Sequence, residues 1–348
     1  MTDVREIEPD AWDRVLDEAG LHDVYARSAY LAASSIVEPG QPRLLRVEDG
    51  GGSVAFPVLV RDIPGARGLR DVTTPYGYGG PLGSGVRPPW DAFEKAYARW
   101  CERSGVVSTF IRFHPLYGNH ADATGVELVP LSGVIGWRVE RGRDLRAGLH
   151  PHHRRLLRKA EAAGVRTSIV EAPESLLAFR QLYETTMLRL GAGSFYFFDR
   201  EYWDALARDL RNELVLVESV LHGRVVASVL CLASPPWLHY HLGASDETGR
   251  ATGASHLALF VAATWAQERG STVFNLGGGV GGADDTLLEF KARFDPGGLL
   301  PSFIGKQVND PIAYSELSGP VADGSFFPAY RALARTPALD AGVHARDR

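Results

Sequence analysis

The chain has little with which to staple or anchor itself. Its two cysteines, Cys101 and Cys231, lie far apart in apolar or helical surroundings without metal-ligand spacing, so they read as small buried hydrophobes. No apolar run approaches the roughly 18 residues of a membrane-spanning helix, and the opening MTDVREIEPDAWDRV is acidic and polar, without the apolar core of a secretory signal. A soluble, cytoplasmic protein is expected. Surplus positive charge is missing too: a net charge of −5 excludes a protein that is basic all over, so any contact with nucleic acid must come from a local patch. There is no G-x-S-x-G elbow, which argues against a hydrolase of that kind. The formal dinucleotide fingerprint Gly277-x-Gly279-x-x-Gly282 comes late, without a βαβ unit or an acid at the right distance, and no cofactor is expected.

What is present is material for packed cores. With 348 residues, 45% of them hydrophobic, two domains are expected. Residues 8–34 read as two short helices. Residues 43–47 and 54–61 alternate on either side of Asp49-Gly50-Gly51-Gly52, a hairpin signal. Residues 73–85, TTPYGYGGPLGSG, are too rich in glycine and proline for regular structure. Tyr76 and Tyr78 on such a loop either pack under the fold or offer a flat surface to a ligand. Phe93, Ala96/Tyr97 and Trp100 stand at helical spacing within residues 90–103, and 106–113 read as a strand running into His114-Pro115. Helix and strand in alternation fit an α/β layer fold.

The second half opens on a basic run. Residues 141–159 hold Arg141, Arg143, Arg146, Arg154, Arg155, Arg158 and Lys159 against one acid, Asp144. On a helix, Leu156, Leu157 and Ala160 share one side, while Arg154/Arg158 and Arg155/Lys159 stack four apart and repel by a few tenths of a kcal/mol per pair. Such a face is either merely solvated or waits for an anion. Further on, Trp237, His239 and His241 alternate with Leu238, Tyr240 and Leu242, a half-buried strand. A loop with three glycines follows, then a helix that Ser255 is placed to cap, then a strand at 272–276 broken by Gly277-Gly278-Gly279. Strand ends, a helix N-terminus and glycine N–H groups make a crevice suited to an anionic or acyl group. Lys291, flanked by Leu288, Phe290 and Phe294, reads as a partly desolvated cation able to steady an oxyanion, against the alternative of a snorkelling surface lysine. His239 and His241, even taken with His150, His152 or His153, have no carboxylate or cysteine at ligand spacing, and no metal is expected.

The segments HYHLGASD, WAQERG, FNLGGG and above all LLEFKARFDPGGLLPSFIGK resemble the C-terminal half of the FemABX family, and the likeness runs in order over about residues 20–315. That resemblance implies an α/β fold of two tandem GNAT-like domains with mixed central sheets flanked by helices: 1–145 on the acceptor side, 146–309 on the donor side, and a tail, 310–348, packing back on the first domain. It implies an aminoacyltransferase that moves an amino acid from aminoacyl-tRNA to an amine. Phe290 and Lys291 then belong to the motif that meets the charged tRNA end, with Arg293 as a second cation. Arg154, Arg155, Arg158 and Lys159 would hold the tRNA, and the N–H groups of Gly277, Gly278 and Gly279 the oxyanion. Tyr76, Tyr78, Arg112, Tyr240, His239 and Asn275 would face the acceptor, with His114 taking its proton.

Two departures qualify this. Many family members carry Asp-Pro where this chain has His114-Pro115, and the first half offers only scattered arginines (Arg43, Arg46, Arg61, Arg67, Arg70) for a nucleotide diphosphate. A small amine or peptide acceptor is therefore favoured over a cell-wall precursor, with peptidoglycan interpeptide-bridge transfer kept open. Residues 250–255, Arg-Ala-Thr-Gly-Ala-Ser, nearly match the loop by which GNAT acetyltransferases hold acyl-CoA, which keeps an acyl-CoA donor open as well.

Overall fold

Alternating apolar runs separated by glycine turns build two mixed sheets. The computed structural model describes residues 2–319 and 326–333. In chain order, β1 (Arg5–Ile7), α1 (Trp12–Glu18) and α2 (Ser28–Val37) precede the hairpin of β2 (Gln41–Asp49) and β3 (Gly52–Asp62). Then come β4 (Arg70–Thr73), β5 (Leu82–Ser84), α3 (Trp90–Ser104), β6 (Val106–Arg112) and β7 (Glu127–Pro130). The next stretch holds β8 (Val134–Arg138), α4 (Leu145–Gly148), α5 (Pro151–Ala162), β9 (Arg166–Glu171), α6 (Leu177–Leu190) and α7 (Arg200–Asp209). It continues with β10 (Leu214–Leu221), β11 (Arg224–Ser234), β12 (Trp237–Ser245), α8 (Glu247–Thr252), α9 (Ala254–Glu268), β13 (Val273–Gly277) and α10 (Thr286–Ala292). Last are β14 (Leu299–Leu300), β15 (Phe303–Val308), α11 (Pro311–Ser318) and α12 (Ala329–Leu333).

The first sheet runs β1-β2-β3-β4-β6-β15-β7, with β5 on β3, and the second runs β14-β8-β13-β12-β11-β10-β9. The halves exchange strands. β8 leaves the first half to pair antiparallel with β13, and β15 returns from the second to lie between β6 and β7. A division at 145 and 309 therefore does not follow the sheets. Strands as short as β7 and β8 carry no pattern that says which sheet takes them, and unpaired backbone settles it.

Helices cover the sheets with the faces their spacing dictates. α3 buries Phe93, Ala96, Tyr97 and Trp100, the stripe expected, and Tyr97 donates or accepts at Thr109 Oγ1 across 2.7 Å. α5 buries His153, Leu157 and Ala160. The glycine-rich loop at 73–85 does hold one short strand, β5, which pairs with β3. The loop expected after β12 is α8, capped by Asp246, whose side chain accepts from Gly249 N at 2.7 Å. The N-cap of α9 is Gly253, not Ser255. Gly253 has φ +84°, and a Cβ there would lie 2.9 Å from Leu156 O of α5, so only glycine lets the two helices approach.

The described part of the tail lies on the first sheet. Tyr330 shares a 2.7 Å hydrogen bond with Ser108 of β6, and Arg331 donates to Asp71 of β4 at 2.6 Å. Residues 334–348 lie outside the described residues. No helix among the described residues is long and apolar enough to cross a membrane.

Candidate active site

β12 and β13 run parallel only as far as His239 and Asn275. Beyond that point β12 continues alongside β11, whereas β13 turns away at Gly277, which takes φ +75°. A bulge in β12 opposite Leu230 and Cys231 removes His241 from the ladder. It sends Leu242 to the α6/α7 side while Leu238 and Tyr240 stay on the α9 side, so the alternation read over 237–242 breaks after Tyr240. The separating strands leave a crevice, and α10 lines it.

Asp285 caps α10, its Oδ1 accepting from Leu287 N and Leu288 N and its Oδ2 from Val280 N. This aims Lys291 inward. Lys291 is 7% exposed, its Nζ donates to Gly278 O at 2.6 Å and stands 5.3 Å from the Tyr240 ring centre. Burial pulls its ammonium down to about 8, with the Asp285 carboxylate acting in the other direction. A Cβ on Gly277 would lie 3.5 Å from both Lys291 Nζ and Tyr78 OH, so cation and phenol converge on bare backbone. The Gly277 N–H is taken by Asn275 Oδ1 at 3.0 Å. The N–H groups of Gly278 and Gly279 have no acceptor among the described residues and are the free donors here.

The tyrosine loop forms the opposite wall. Tyr78 meets Tyr25 and His114 edge-on at 5.3 and 5.4 Å, and burial pushes its phenol up to about 12. Tyr76 packs against Phe195, Phe198 and His241, and its carbonyl accepts from Tyr30 OH at 2.6 Å. Arg112 stands apart from the crevice floor: it donates to Thr74 O at 2.9 Å and lies over Phe110, whose ring meets Phe327 of the tail.

Behind Tyr78 lies a group that sequence reasoning missed. Asp23, 3% exposed, receives His239 Nε2 at 2.9 Å, and His114 Nε2 approaches the same oxygen to 3.4 Å. Ser234 Oγ, 3.3 Å away, ties it to β11, and Asp23 Oδ1 accepts from Tyr25 N. Burial by itself would raise the carboxyl; the two imidazoles outweigh that and hold it far below the usual carboxylate range. Asp23 stands alone in LHDVYA, and no local pattern announces partners on β12 and after β6. The cluster corrects three assignments. His114 is 1% exposed and its Nδ1 accepts from Leu116 N and Tyr117 N, so its lone pair is taken and its Nε2, buried 3.4 Å from Asp23 without a hydrogen bond, is out of an acceptor's reach. His239 and Asn275 are 0% and 1% exposed and lie beneath the crevice surface, out of an acceptor's reach.

Asp23, His114 and His239 bring ligand atoms within 4.8 Å of one another, a spacing a metal ion could use. Their partners do not suit one. An imidazole that coordinates through Nε2 carries its proton on Nδ1 and needs an acceptor there. His114 Nδ1 faces two backbone N–H donors and His239 Nδ1 faces the Asn275 amide at 3.3 Å, where Asn275 Oδ1 is already held by Gly277 N.

The basic helix is smaller than its sequence. Arg154 turns back to the carbonyls of Ala147 and Leu149 and closes α4, and Glu161 is taken by Arg146. Arg155, Arg158 and Lys159 stay exposed, with no acid paired to them among the described residues. α5 is fixed to α10: His153 Nε2 donates to Phe290 O at 2.9 Å, and His150 N to Arg293 O at 2.9 Å. Arg293 pairs with Glu289.

Residues 150–291 match the family model described as acetyltransferase (GNAT) domain. The crystal structure of FemX superposes with a TM-score of 0.68 at 14% identity, over 90% of this chain and 98% of that one. The chain has a FemX-like fold, with a GNAT domain in its second half. L-PGS from Bacillus licheniformis superposes on this chain with a TM-score of 0.54 at 16% identity, over 89% of this chain and 95% of that one. The C-terminal domain of a putative lysylphosphatidylglycerol synthetase from Agrobacterium fabrum superposes with a TM-score of 0.55 at 15% identity, over 86% of this chain and 92% of that one. No curated protein sequence matches the chain. Within the FemX-like fold, the matched GNAT segment ends at Lys291 and takes in the crevice and the basic helix.

Proposed function

We propose that this protein is an acyltransferase that forms an amide, passing an amino acid from aminoacyl-tRNA to a small amine or peptide. The observation that carries the reading is Lys291, an ammonium buried in the crevice beside two free backbone donors, on a helix bonded to an exposed basic face. The acceptor amine attacks the ester carbonyl; the new C–N bond forms, the C–O bond to the terminal ribose breaks, and the amine's proton ends on the ribose oxygen. Lys291 and the N–H groups of Gly278 and Gly279 are the protein's means of steadying the oxyanion. Alignment supplies much of the rest, since an amine meeting an activated ester needs little more. That the C-terminal domain of a putative lysylphosphatidylglycerol synthetase shares the fold is support of the same kind, for transfer of an aminoacyl group.

Against acyl-CoA stands Gly253. The turn where a GNAT enzyme would take the pyrophosphate is pressed against α5, with Leu156 O 2.9 Å from a Cβ position. Charged tRNA is therefore expected to raise the melting temperature, and acetyl-CoA to leave it unchanged. Changing Arg155 and Lys159 together to glutamate should weaken tRNA binding and flatten its salt dependence by about one log-log unit for each phosphate no longer neutralised. Stabilisation by acetyl-CoA, or an unchanged salt slope, would move the donor or the binding face elsewhere.

Four of the five arginines weighed for a nucleotide diphosphate are already paired: Arg43 with Glu6, Arg46 with Glu48, Arg61 with Asp71 and Glu38, and Arg70 with Asp62. A diphosphate needs cations that are not spent. Titration with a UDP-linked muramyl pentapeptide should accordingly show no binding in the micromolar range; binding there would make the enzyme a cell-wall branching transferase.

A further inference from the structure

We propose that Asp23 is the positioning residue of the crevice: through His239 and Asn275, its carboxylate fixes the Gly277-Gly278 corner that holds Lys291. The chemistry of Lys291 rests on the function proposed above; the chain of contacts does not.

The hydrogen bonds can be followed from either end. A backbone N–H is always a donor, so the Gly277 N–H at 3.0 Å requires the oxygen of Asn275 to face it. The Asn275 amide nitrogen must then face His239 Nδ1, at 3.3 Å, which leaves that nitrogen the bare acceptor. The imidazole proton is thereby on Nε2, and Nε2 points at Asp23 Oδ2 from 2.9 Å. From the other end, an ionised carboxylate only accepts, which demands that same proton on Nε2 and the same order down the line. His114 obeys this rule as well: with Nδ1 occupied by Leu116 N and Tyr117 N, its proton is on Nε2, which stands 3.4 Å from Asp23 Oδ2 without completing a hydrogen bond. Asp23, His239 and Asn275 are each at most 3% exposed, so no solvent competes for the links. The end of the line is Gly277 at φ +75°, followed by Gly278, whose carbonyl accepts from Lys291 Nζ at 2.6 Å. Ser234, bonded to Val24 N at 2.9 Å and lying beside Asp23, makes the line span both halves of the molecule. A carboxylate from the first half thus sets the backbone that holds a cation of the second.

Asp23→Asn breaks the logic with little change of shape. Both carboxylate oxygens are in use, Oδ1 by Tyr25 N and Oδ2 by the imidazoles, so either orientation of the amide sets N–H against N–H. Asn275→Ala cuts the line further down and leaves Asp23 and both imidazoles as they are. The test is NMR of the full-length, ligand-free protein with labelled histidine, glycine and lysine. In the wild type, His114 and His239 are expected as Nε2–H tautomers, and the Lys291 ε-carbon should titrate with a midpoint of about 8. In Asp23→Asn the His239 signals should change form, and in both variants the Gly277 amide signal should move and the Lys291 midpoint should rise toward that of ordinary lysine. Asp285 and the phenol of Tyr240, which face Lys291, are intact in both variants; Asn275→Ala also removes a hydrogen-bond partner of the Tyr78 phenol, so the rise in Asp23→Asn is the one that reports the corner. Wild-type Gly277 and Lys291 signals in either variant would overturn the proposal. These signals are read without substrate, so they stand or fall apart from any assay of amide formation.

Discussion

Lys291→Met is expected to raise the melting temperature at pH 7 and to lower the rate of amide formation at least about tenfold. The two effects have one cause. Burial takes the ammonium from 10.5 down to about 8. At about 1.4 kcal/mol per pH unit, holding the charge in the folded protein at neutral pH costs about 3 kcal/mol. Methionine has a similar length and no charge. It forfeits the hydrogen bond to Gly278 O, worth about 1 kcal/mol, which leaves a gain of about 2 kcal/mol. The sign is checked by pH. The folded protein binds fewer protons at this site than the unfolded one between about 8 and 10.5, so the wild type recovers stability as pH rises through that window and the variant does not. The variant's advantage in thermal denaturation should be full at pH 7 and gone near pH 10.5. Turnover by the wild type should decline above about pH 8, as the cation is lost. A variant less stable than wild type at pH 7, or one with wild-type turnover, would remove Lys291 from the proposed role.

Asp71→Ala is expected to cost about 3–5 kcal/mol in urea denaturation, the range for breaking a buried ion pair from one side. Asp71 is fully buried, and its two oxygens accept from Arg61 Nε and Arg331 Nε, both at 2.6 Å. Arg61 is itself only 8% exposed, so losing Asp71 leaves it with Glu38 as its one acid among the described residues. The same substitution unpins α12, so limited proteolysis should remove the C-terminal segment from the variant before the rest of the fold is cut. Arg331→Ala should expose that segment at a lower cost, because Arg331 lies nearer the surface than Asp71 and leaves no buried cation behind. A loss of about 1 kcal/mol or less in Asp71→Ala would mean that the tail is held by its apolar contacts alone.

Much of this molecule can be read from local pattern. Phe93, Ala96, Tyr97 and Trp100 declare the buried stripe of α3, and the glycines around 50–52, 253 and 277–279 mark turns because those backbones need what glycine alone tolerates or a neighbour's close approach. Lys291 can be singled out because apolar residues flank it in sequence, although Phe290 and Phe294 pack on His153 and His256 while Lys291 Nζ meets Gly278 and Tyr240. What cannot be read is whatever depends on pairing at a distance. Nothing near Asp23 announces His239, nothing in residues 134–138 says that they join the second sheet, and nothing near Arg154 says that its charge closes a helix. His114 reads as a base with a free nitrogen because its sequence neighbours are silent about Asp23 and the N–H groups of 116 and 117. Residues 247–252 read as loop because their one strong helix signal is a cap, Asp246, rather than an apolar stripe.

The exchanged strands bear on how the protein is made. Among the described strands, β7 pairs with β15 alone, and β15 ends at Val308, so the first sheet cannot close until the chain has been made past Val308. Until then β6 presents an open edge of the kind that invites other chains to pair. An early-folding N-terminal unit, the usual course for a two-module protein during synthesis, is thus unavailable here. A product that ends before Val308 lacks this closing strand, and its β6 stays an open edge.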